Sequence, residues 1–160
     1  MVDVSAFLQS CREQSIMLAT AESCTGGMIA SRITDIAGSS EVFDRGFVTY
    51  SNAAKQEMLE VSPGTLDAHG AVSEEVAQEM ADGALKHSAA QVAVSITGIA
   101  GPGGSEFKPE GRVCFGLASP TGTTTETVEF GPLGRDNVRQ AARDHALRLL
   151  LTAISTLPKN

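Results

Sequence analysis

Apolar residues recur at helical spacing near the start of the chain: Val4, Phe7, Leu8 and Cys11 predict a helix over residues 3–13. A short apolar run, Ile16 to Ala21, then predicts a buried strand. It feeds a small polar stretch, Glu22-Ser23-Cys24-Thr25-Gly26-Gly27, and a small-residue helical pattern from Met28 to Ile36 leaves it, ending near Ala37-Gly38. Gly38-Ser39-Ser40 reads as a loop, and Arg45 to Tyr50 as a second strand. Asn52 to Leu59 is helical, with Ser51 placed to cap it. Pro63-Gly64 breaks the pattern. Ser73 opens a strong helix reaching about His87, with Glu74 and Glu75 in its first turn and Val76, Met80, Ala84 and Leu85 on its apolar face.

Gln91 to Thr97 is a third strand. The segment Gly98 to Gly111 is rich in glycine, carries Pro102 and Pro109, and is longer than a plain connection; such loops are functional or mobile. Arg112 to Ala118 and Thr123 to Phe130 form a hairpin around Ser119-Pro120-Thr121-Gly122. Arg135 to about Leu157 is a long amphipathic helix with Val138, Ala142, Ala146, Leu149 and Leu150 inward. Alternating helices and strands with one terminal hairpin predict a three-layer α/β/α domain. Its mixed sheet has about five strands, one of them antiparallel. Ligands in such sheets sit beyond the carboxyl ends of the strands. Those ends are ESCTGG, TYSNAAK and TGIAGPGG.

Composition narrows this picture. A chain of 160 residues is most simply one domain, residues 1–160, with 42% apolar residues and a mean hydropathy of +0.01. Abundant alanine and glycine without tryptophan favour close helix–sheet packing over an aromatic core. A net charge of −7 argues against a nucleic-acid partner, which needs a basic face, but leaves room for a small anion held by paired arginines. The three cysteines, Cys11, Cys24 and Cys114, have no CxxC or zinc-finger spacing, so we expect no disulfide framework, no metal site, and a reducing cytoplasm. The first residues lack a basic segment followed by an apolar signal core, and no stretch approaches the ~20 apolar residues of a membrane span.

Three polar clusters therefore end three strands: Glu22, Ser23 and Thr25; Tyr50, Ser51, Asn52 and Lys55; and Thr97 followed by glycines at 98, 101, 103 and 104. Ser23 or Thr25 is either an ordinary helix cap or, for Ser23, a nucleophile at a helix N-terminus. A nucleophilic serine needs a base. His69, His87 and His145 lie in a turn or on helices and are weak candidates. Lys55 is the stronger one if its pKa is lowered; otherwise it is a solvated helix lysine. Cys24 is a rival nucleophile, because a helix N-terminus lowers a thiol pKa. The glycine loop matches neither the P-loop nor the dinucleotide fingerprint. Arg135 and Arg139, four apart at the start of the last helix, are either an exposed pair or a phosphate clamp.

Together TAESCTGG, DIAGSSEVFDRGFVTYSNAAK, GAVSEEVAQEMADGA, SITGIAGPGG and GRDNVR resemble the CinA C-terminal-domain family over about residues 5–155. Its stand-alone members are nicotinamide-nucleotide amidohydrolases. The resemblance implies a three-layer α/β/α fold. It implies hydrolysis of the carboxamide of nicotinamide mononucleotide to nicotinic acid mononucleotide and ammonia, by a serine–lysine mechanism without metal or cofactor. Carried over residue by residue, it makes Ser23 the nucleophile, Lys55 its base and Tyr50 an auxiliary catalytic residue. Glu22, Thr25, Gly26, Gly27, Asn52, Thr97 and Gly98 fall in the substrate-binding motifs, with Thr25-Gly26-Gly27 offering N–H groups to an oxyanion. An arginine of GRDNVR binds the nucleotide phosphate, with Arg135 and Arg139 both open. Longer CinA proteins carry a further N-terminal domain, whose activity is not transferred. A homo-oligomer, most simply a dimer, is expected, although no sequence feature fixes an interface. The competing expectation is a non-catalytic interaction module linked to competence or recombination proteins, which has no need of Lys55 at that spacing.

Overall fold

Side-chain caps set most helix starts. In the computed structural model, which describes residues 2–157, Asp3 accepts from the Ala6 N–H at 3.1 Å and opens α1 (Val4–Gln14). Ser51 accepts from Ala54 N–H at 3.0 Å and opens α3 (Asn52–Leu59). Ser73 accepts from Val76 N–H at 3.2 Å and opens α5 (Glu74–Lys86). The remaining elements are β1 (Leu18–Glu22), α2 (Met28–Thr34), β2 (Phe43–Val48), α4 (Pro63–His69), β3 (Val92–Gly98), β4 (Arg112–Ser119), β5 (Gly122–Glu129) and α6 (Arg135–Thr156). Met1 and residues 158–160, included in the one-domain expectation, lie outside the described residues.

The sheet order is β2-β1-β3-β4-β5. β1 pairs in parallel with β2 and β3; β4 runs antiparallel to both β3 and β5. One strand, β4, thus opposes the other four, as the alternation of elements predicts. All three parallel strands end at the same edge, which also receives the start of β4.

Side-chain alternation sorts β1 and β3 between two cores. Leu18, Val92, Val94 and Ile96 face α1, α2 and α6, among Phe7, Leu8, Ile29, Ile33, Val138 and Leu150. Ala19, Ala21 and Ala93 face Leu59, Val61, Val76 and Met80. The small residues on that second face let α5 come close. Ser95 Oγ donates to the Ala77 carbonyl at 2.5 Å, and a Cβ on Gly116 would lie 2.5 Å from the same oxygen. This is the close helix–sheet packing expected from the composition. Among the described residues no helix is long and apolar enough to cross a membrane.

Several boundaries differ from the expectation. β1 begins at Leu18, because the Ile16 N–H is spent on the Cys11 carbonyl at 2.9 Å as α1 terminates. β2 begins two residues earlier and ends two earlier than Arg45 to Tyr50, in register with β1. Ser39–Glu41 is a 3-10 turn rather than open loop. Pro63, read as a break, starts α4: Ser62 caps it at Gly64 N–H (3.1 Å), and a proline in the first turn gives up an N–H that has no helical partner anyway.

Candidate active site

The turn after β1 is built around a buried carboxylate. Glu22 Oε1 accepts from the Thr25 hydroxyl (2.6 Å), the Gly27 N–H (3.2 Å) and the Ile29 N–H (2.9 Å); Oε2 accepts from the Ala30 N–H (3.0 Å). Glu22 therefore takes up the free donors at the start of α2 that a cap or a bound anion would otherwise use. Its side chain is directed into the protein at 1% exposure. Gly26 and Gly27 adopt φ of 59° and 111°, conformations that turn the chain from β1 into α2 and that favour glycine.

Ser23 follows Glu22 and is held by its own N–H on the Ile96 carbonyl at 3.0 Å, across to β3. Lys55 comes from the first turn of α3, which starts directly after β2 ends. Its side chain is 1% exposed, and its Nζ lies 3.0 Å from Ser23 Oγ. The same nitrogen donates to the Thr49 carbonyl at 3.1 Å and more weakly to the Tyr50 carbonyl at 3.5 Å. Among the described residues no carboxylate forms an ion pair with it. Burial pushes the Lys55 pKa below its usual 10.5; the nearby Cys24 and Glu106 oppose that shift without cancelling it. A lysine held neutral more easily than usual, beside a hydroxyl, can accept that hydroxyl's proton.

The pair opens onto a cleft of about 360 Å³ at the carboxyl edge of the sheet. Its walls include Cys24, Tyr50, Asn52, Thr97, Gly98, the 99–106 segment and Arg135. Thr97 is buried, and its hydroxyl donates to the Ala71 carbonyl at 2.9 Å. Tyr50 and Asn52 are exposed at the rim. The Tyr50 hydroxyl accepts from Arg135 Nη2 at 2.9 Å, and Arg135 Nη1 donates to the Gly101 carbonyl at 2.7 Å. The side chains of Tyr50 and Thr97 thus hold other partners, and only the Tyr50 backbone touches Lys55.

The glycine-rich segment is pinned at several points. Glu110 accepts from Gly103 N–H (2.7 Å) and from Gly134 N–H (3.0 Å), tying the loop to the start of α6. Lys108 Nζ donates to the His69 and Val72 carbonyls at 2.7 and 2.5 Å. These two clamps, and the Thr49 carbonyl on Lys55, escape sequence reasoning. Nothing marks a backbone oxygen in advance, and a lone Glu110 among glycines and prolines is the only hint of the first clamp.

Four residues placed in the ligand-binding motifs do not line the cleft. Glu22 and Thr25 bond to each other, and Thr25, Gly26 and Gly27 border a separate cavity of about 340 Å³ with Arg139 and Arg143. The expected oxyanion donors change accordingly. Gly26 N–H is spent on the Ser23 carbonyl and Gly27 N–H on Glu22, whereas the Cys24 and Thr25 N–H groups find no acceptor among the described residues. The two arginines also part company. Arg135 reaches the cleft, while Arg139 donates from Nε to the Cys24 carbonyl (3.0 Å) and from Nη2 to the Thr25 carbonyl (3.2 Å).

Cys24 lines the same cleft, and burial weighs against its thiol as the rival nucleophile. Burial pushes its thiol up to about 12, overriding its neighbouring positive charges and the helix N-terminus that sequence alone suggested. None of the histidines borders the cleft: His69 faces Glu75, His87 faces Glu60 and His145 faces Glu126.

Fold and site together define an α/β protein with a buried serine–lysine pair in a cleft at the carboxyl edge of a mixed sheet. The chain belongs to the CinA C-terminal domain family, whose profile matches residues 4–154. It is 54% identical over 143 residues to the nicotinamide-nucleotide amidohydrolase PncC of Escherichia coli K12, covering 89% of this chain and 87% of that protein. It is 51% identical over 148 residues to a CinA-like protein of Chlorobium phaeobacteroides, covering 89% of this chain but only 35% of that protein, so the chain spans about a third of such longer relatives. The crystal structure of the competence/damage inducible protein CihA from Agrobacterium tumefaciens superposes with a TM-score of 0.88 at 44% identity, over 98% of both chains.

Proposed function

We propose that this protein hydrolyses the carboxamide of nicotinamide mononucleotide, releasing ammonia and nicotinic acid mononucleotide, with Ser23 as nucleophile and Lys55 as its base. The observation that carries the reading is the 3.0 Å contact between Lys55 Nζ and Ser23 Oγ, made by a buried lysine without an ion-paired carboxylate. Similarity to a relative named as a nicotinamide-nucleotide amidohydrolase, matched along most of both chains, supplies the substrate.

In this reading neutral Lys55 takes the proton of Ser23 as Oγ attacks the carboxamide carbon. The carbonyl oxygen takes up negative charge facing the Cys24 N–H group, the unpaired donor of a residue that lines the cleft beside Ser23. When the tetrahedral species collapses, Lys55 returns the proton to nitrogen, the C–N bond breaks, and ammonia departs. Lys55 then takes a proton from water, whose oxygen attacks the ester carbon. Collapse breaks the bond to Oγ, and Lys55 reprotonates Ser23. The acid product leaves and the enzyme is restored. Arg135, at the rim of the same cleft, has guanidinium N–H groups beyond those held by Tyr50 and Gly101 and takes the substrate phosphate. The reading places the protein in a reducing cytoplasm, consistent with three free cysteines.

The test is ammonia release from nicotinamide mononucleotide, with nicotinamide riboside beside it. Turnover of the mononucleotide, with weaker capture of the riboside, supports the reading. Well-folded protein that releases no ammonia from either removes it, and leaves the interaction-module expectation standing.

A further inference from the structure

The cleft that holds Ser23 and Lys55 is walled by charged side chains from Lys55, Arg135 and Glu106. The mechanism uses the first two and leaves Glu106. Glu22, next to Ser23, is turned into the protein and spent on its own turn. Glu106 is thus the carboxylate that the cleft presents among the described residues.

A tight turn places it. Ser105 N–H donates to the Lys108 carbonyl at 2.9 Å, and Lys108 N–H donates back to the Ser105 carbonyl at 2.8 Å, leaving Glu106 and Phe107 as a two-residue loop. Both adopt positive φ, 51° and 64°. Asparagine and glycine suit such positions, whereas a glutamate followed by a phenylalanine is strained there. The carboxylate lies against Gly70: a Cβ on that glycine would meet Glu106 Oε2 at 2.9 Å. The next two residues, Ala71 and Val72, line the cleft. The other charged side chains of the loop have structural partners. Lys108 Nζ donates to the His69 and Val72 carbonyls, and Glu110 accepts from the Gly103 and Gly134 N–H groups. Glu106 forms no ion pair among the described residues. Its field nevertheless reaches the reacting pair: burial lowers the Lys55 pKa, and Cys24 and Glu106 oppose that shift.

Nicotinamide mononucleotide is a zwitterion, with an anionic phosphate and a fixed cationic ring nitrogen. The carboxamide is attached to that ring, so bringing it to Ser23 carries the ring charge into the cleft. A cation drawn out of water loses hydration, and a carboxylate nearby offsets the loss. Arg135, held by Tyr50 and Gly101, and Glu106, beside Gly70, match the two charges of this substrate in sign and sit on different parts of the wall.

We propose that Glu106 is a specificity-determining residue of the cleft: its carboxylate faces the pyridinium ring of the substrate and selects it over an uncharged ring. The proposal rests on the amidohydrolase reading above. It divides recognition, with Arg135 reading the phosphate and Glu106 the ring charge. The ring stays cationic from substrate to product, so the contact is equal in ground and transition states and acts on KM rather than kcat.

The test uses nicotinamide mononucleotide, nicotinamide riboside and reduced nicotinamide mononucleotide, whose dihydropyridine ring is neutral while its carboxamide, ribose and phosphate are kept. Ammonia release gives kcat and KM for the first two, and the reduced compound is titrated as an inhibitor. Wild type, Glu106→Gln and Glu106→Lys are compared above the pH at which Lys55 titrates, with folding checked by circular dichroism. In Glu106→Gln, KM for the mononucleotide and the riboside rises about fivefold, the worth of a favourable exposed ion pair. Its kcat, and the inhibition constant of the reduced compound, stay within about twofold of wild type. Glu106→Lys raises both KM values further. Unchanged KM in folded Glu106→Gln overturns the proposal. So does equal weakening of the oxidised and reduced compounds, because the contact would then be to a group that both share. If the reduced compound inhibits none of the proteins, the riboside decides: a KM higher in Glu106→Lys than in Glu106→Gln supports the proposal, and one that is equal or lower overturns it. Wild type that releases no ammonia from either substrate removes the amidohydrolase reading and this one together. Active wild type whose Glu106 variants keep its KM removes this one alone.

Discussion

Replacing Glu22 by glutamine changes one atom and should destabilise the protein severely. The carboxylate accepts four hydrogen bonds, three at Oε1 and one at Oε2, in a site that is 1% exposed. An amide fits best with its oxygen at the three-donor position, which turns its NH2 toward the Ala30 N–H. Three bonds then pass from charge-assisted to neutral, losing about 1 kcal/mol each, and the fourth becomes a donor–donor contact costing about 1–3 kcal/mol. The sum is about 4–6 kcal/mol. At roughly 2–4 °C per kcal/mol for a chain of this size, Tm falls by about 8–24 °C. Urea unfolding at 25 °C gives the free energy, and thermal melting followed by circular dichroism gives Tm. The expected variant still folds, because a stable domain holds about 5–15 kcal/mol, but it sits close to the threshold. A Glu22→Gln protein within about 1 kcal/mol of wild type refutes the view that this carboxylate organises the turn.

Four further outcomes follow from the geometry. Lys55 has a depressed pKa in the fold, so the unfolded chain holds the proton more tightly; wild-type stability therefore rises as pH climbs from the folded pKa toward 10.5, a gain that pH-dependent urea unfolding should find missing in Lys55→Met. For the same reason the rate of ammonia release falls as pH drops through that folded pKa, with a midpoint below that of a free lysine in a pH–rate profile. Arg135→Ala raises KM for nicotinamide mononucleotide by about 10–100-fold, the worth of a hydrogen bond to a charged group, and leaves nicotinamide riboside turnover unchanged; steady-state kinetics on both substrates checks this. A Cβ on Gly83 would lie 2.1 Å from the Leu59 carbonyl oxygen, so Gly83→Ala pushes α3 off α5; urea unfolding should show a loss of about 2–3 kcal/mol, and kcat should fall as Lys55 moves with α3.

The sequence exposes the elements whose signals are local. Ser51 and Ser73 are caps that need no tertiary partner, so α3 and α5 are legible to within a residue. Pro63 misleads because the same residue ends one pattern and starts a helix, and only the Ser62 side chain tells which. The meeting of three strand ends is legible from the alternation of elements, which is why Ser23, Lys55 and Thr97 were candidates together. What side chains face is a different matter. Arg135 and Arg139 are four apart on one helix, yet one reaches the Gly101 and Tyr50 oxygens and the other, a turn further along, meets the Cys24–Thr25 carbonyls. No periodicity separates them. Glu22 is likewise ambiguous: a glutamate at a strand end points either into the cleft or back at the helix, and four donors within reach fix the second. Cys24 shows competition between two physical effects. A helix N-terminus lowers a thiol pKa and burial raises it; the sequence displays the first, and the packing decides for the second.

The central claim is that Ser23, not its neighbour Cys24, attacks the amide. The most direct measurement is ammonia release from nicotinamide mononucleotide by Ser23→Ala and Cys24→Ala, both shown to be folded. The account predicts no detectable turnover in Ser23→Ala and a rate within a few-fold of wild type in Cys24→Ala, because a thiol pushed up to about 12 holds its proton at neutral pH. Near wild-type turnover in Ser23→Ala, or loss of activity in Cys24→Ala alone, would contradict it.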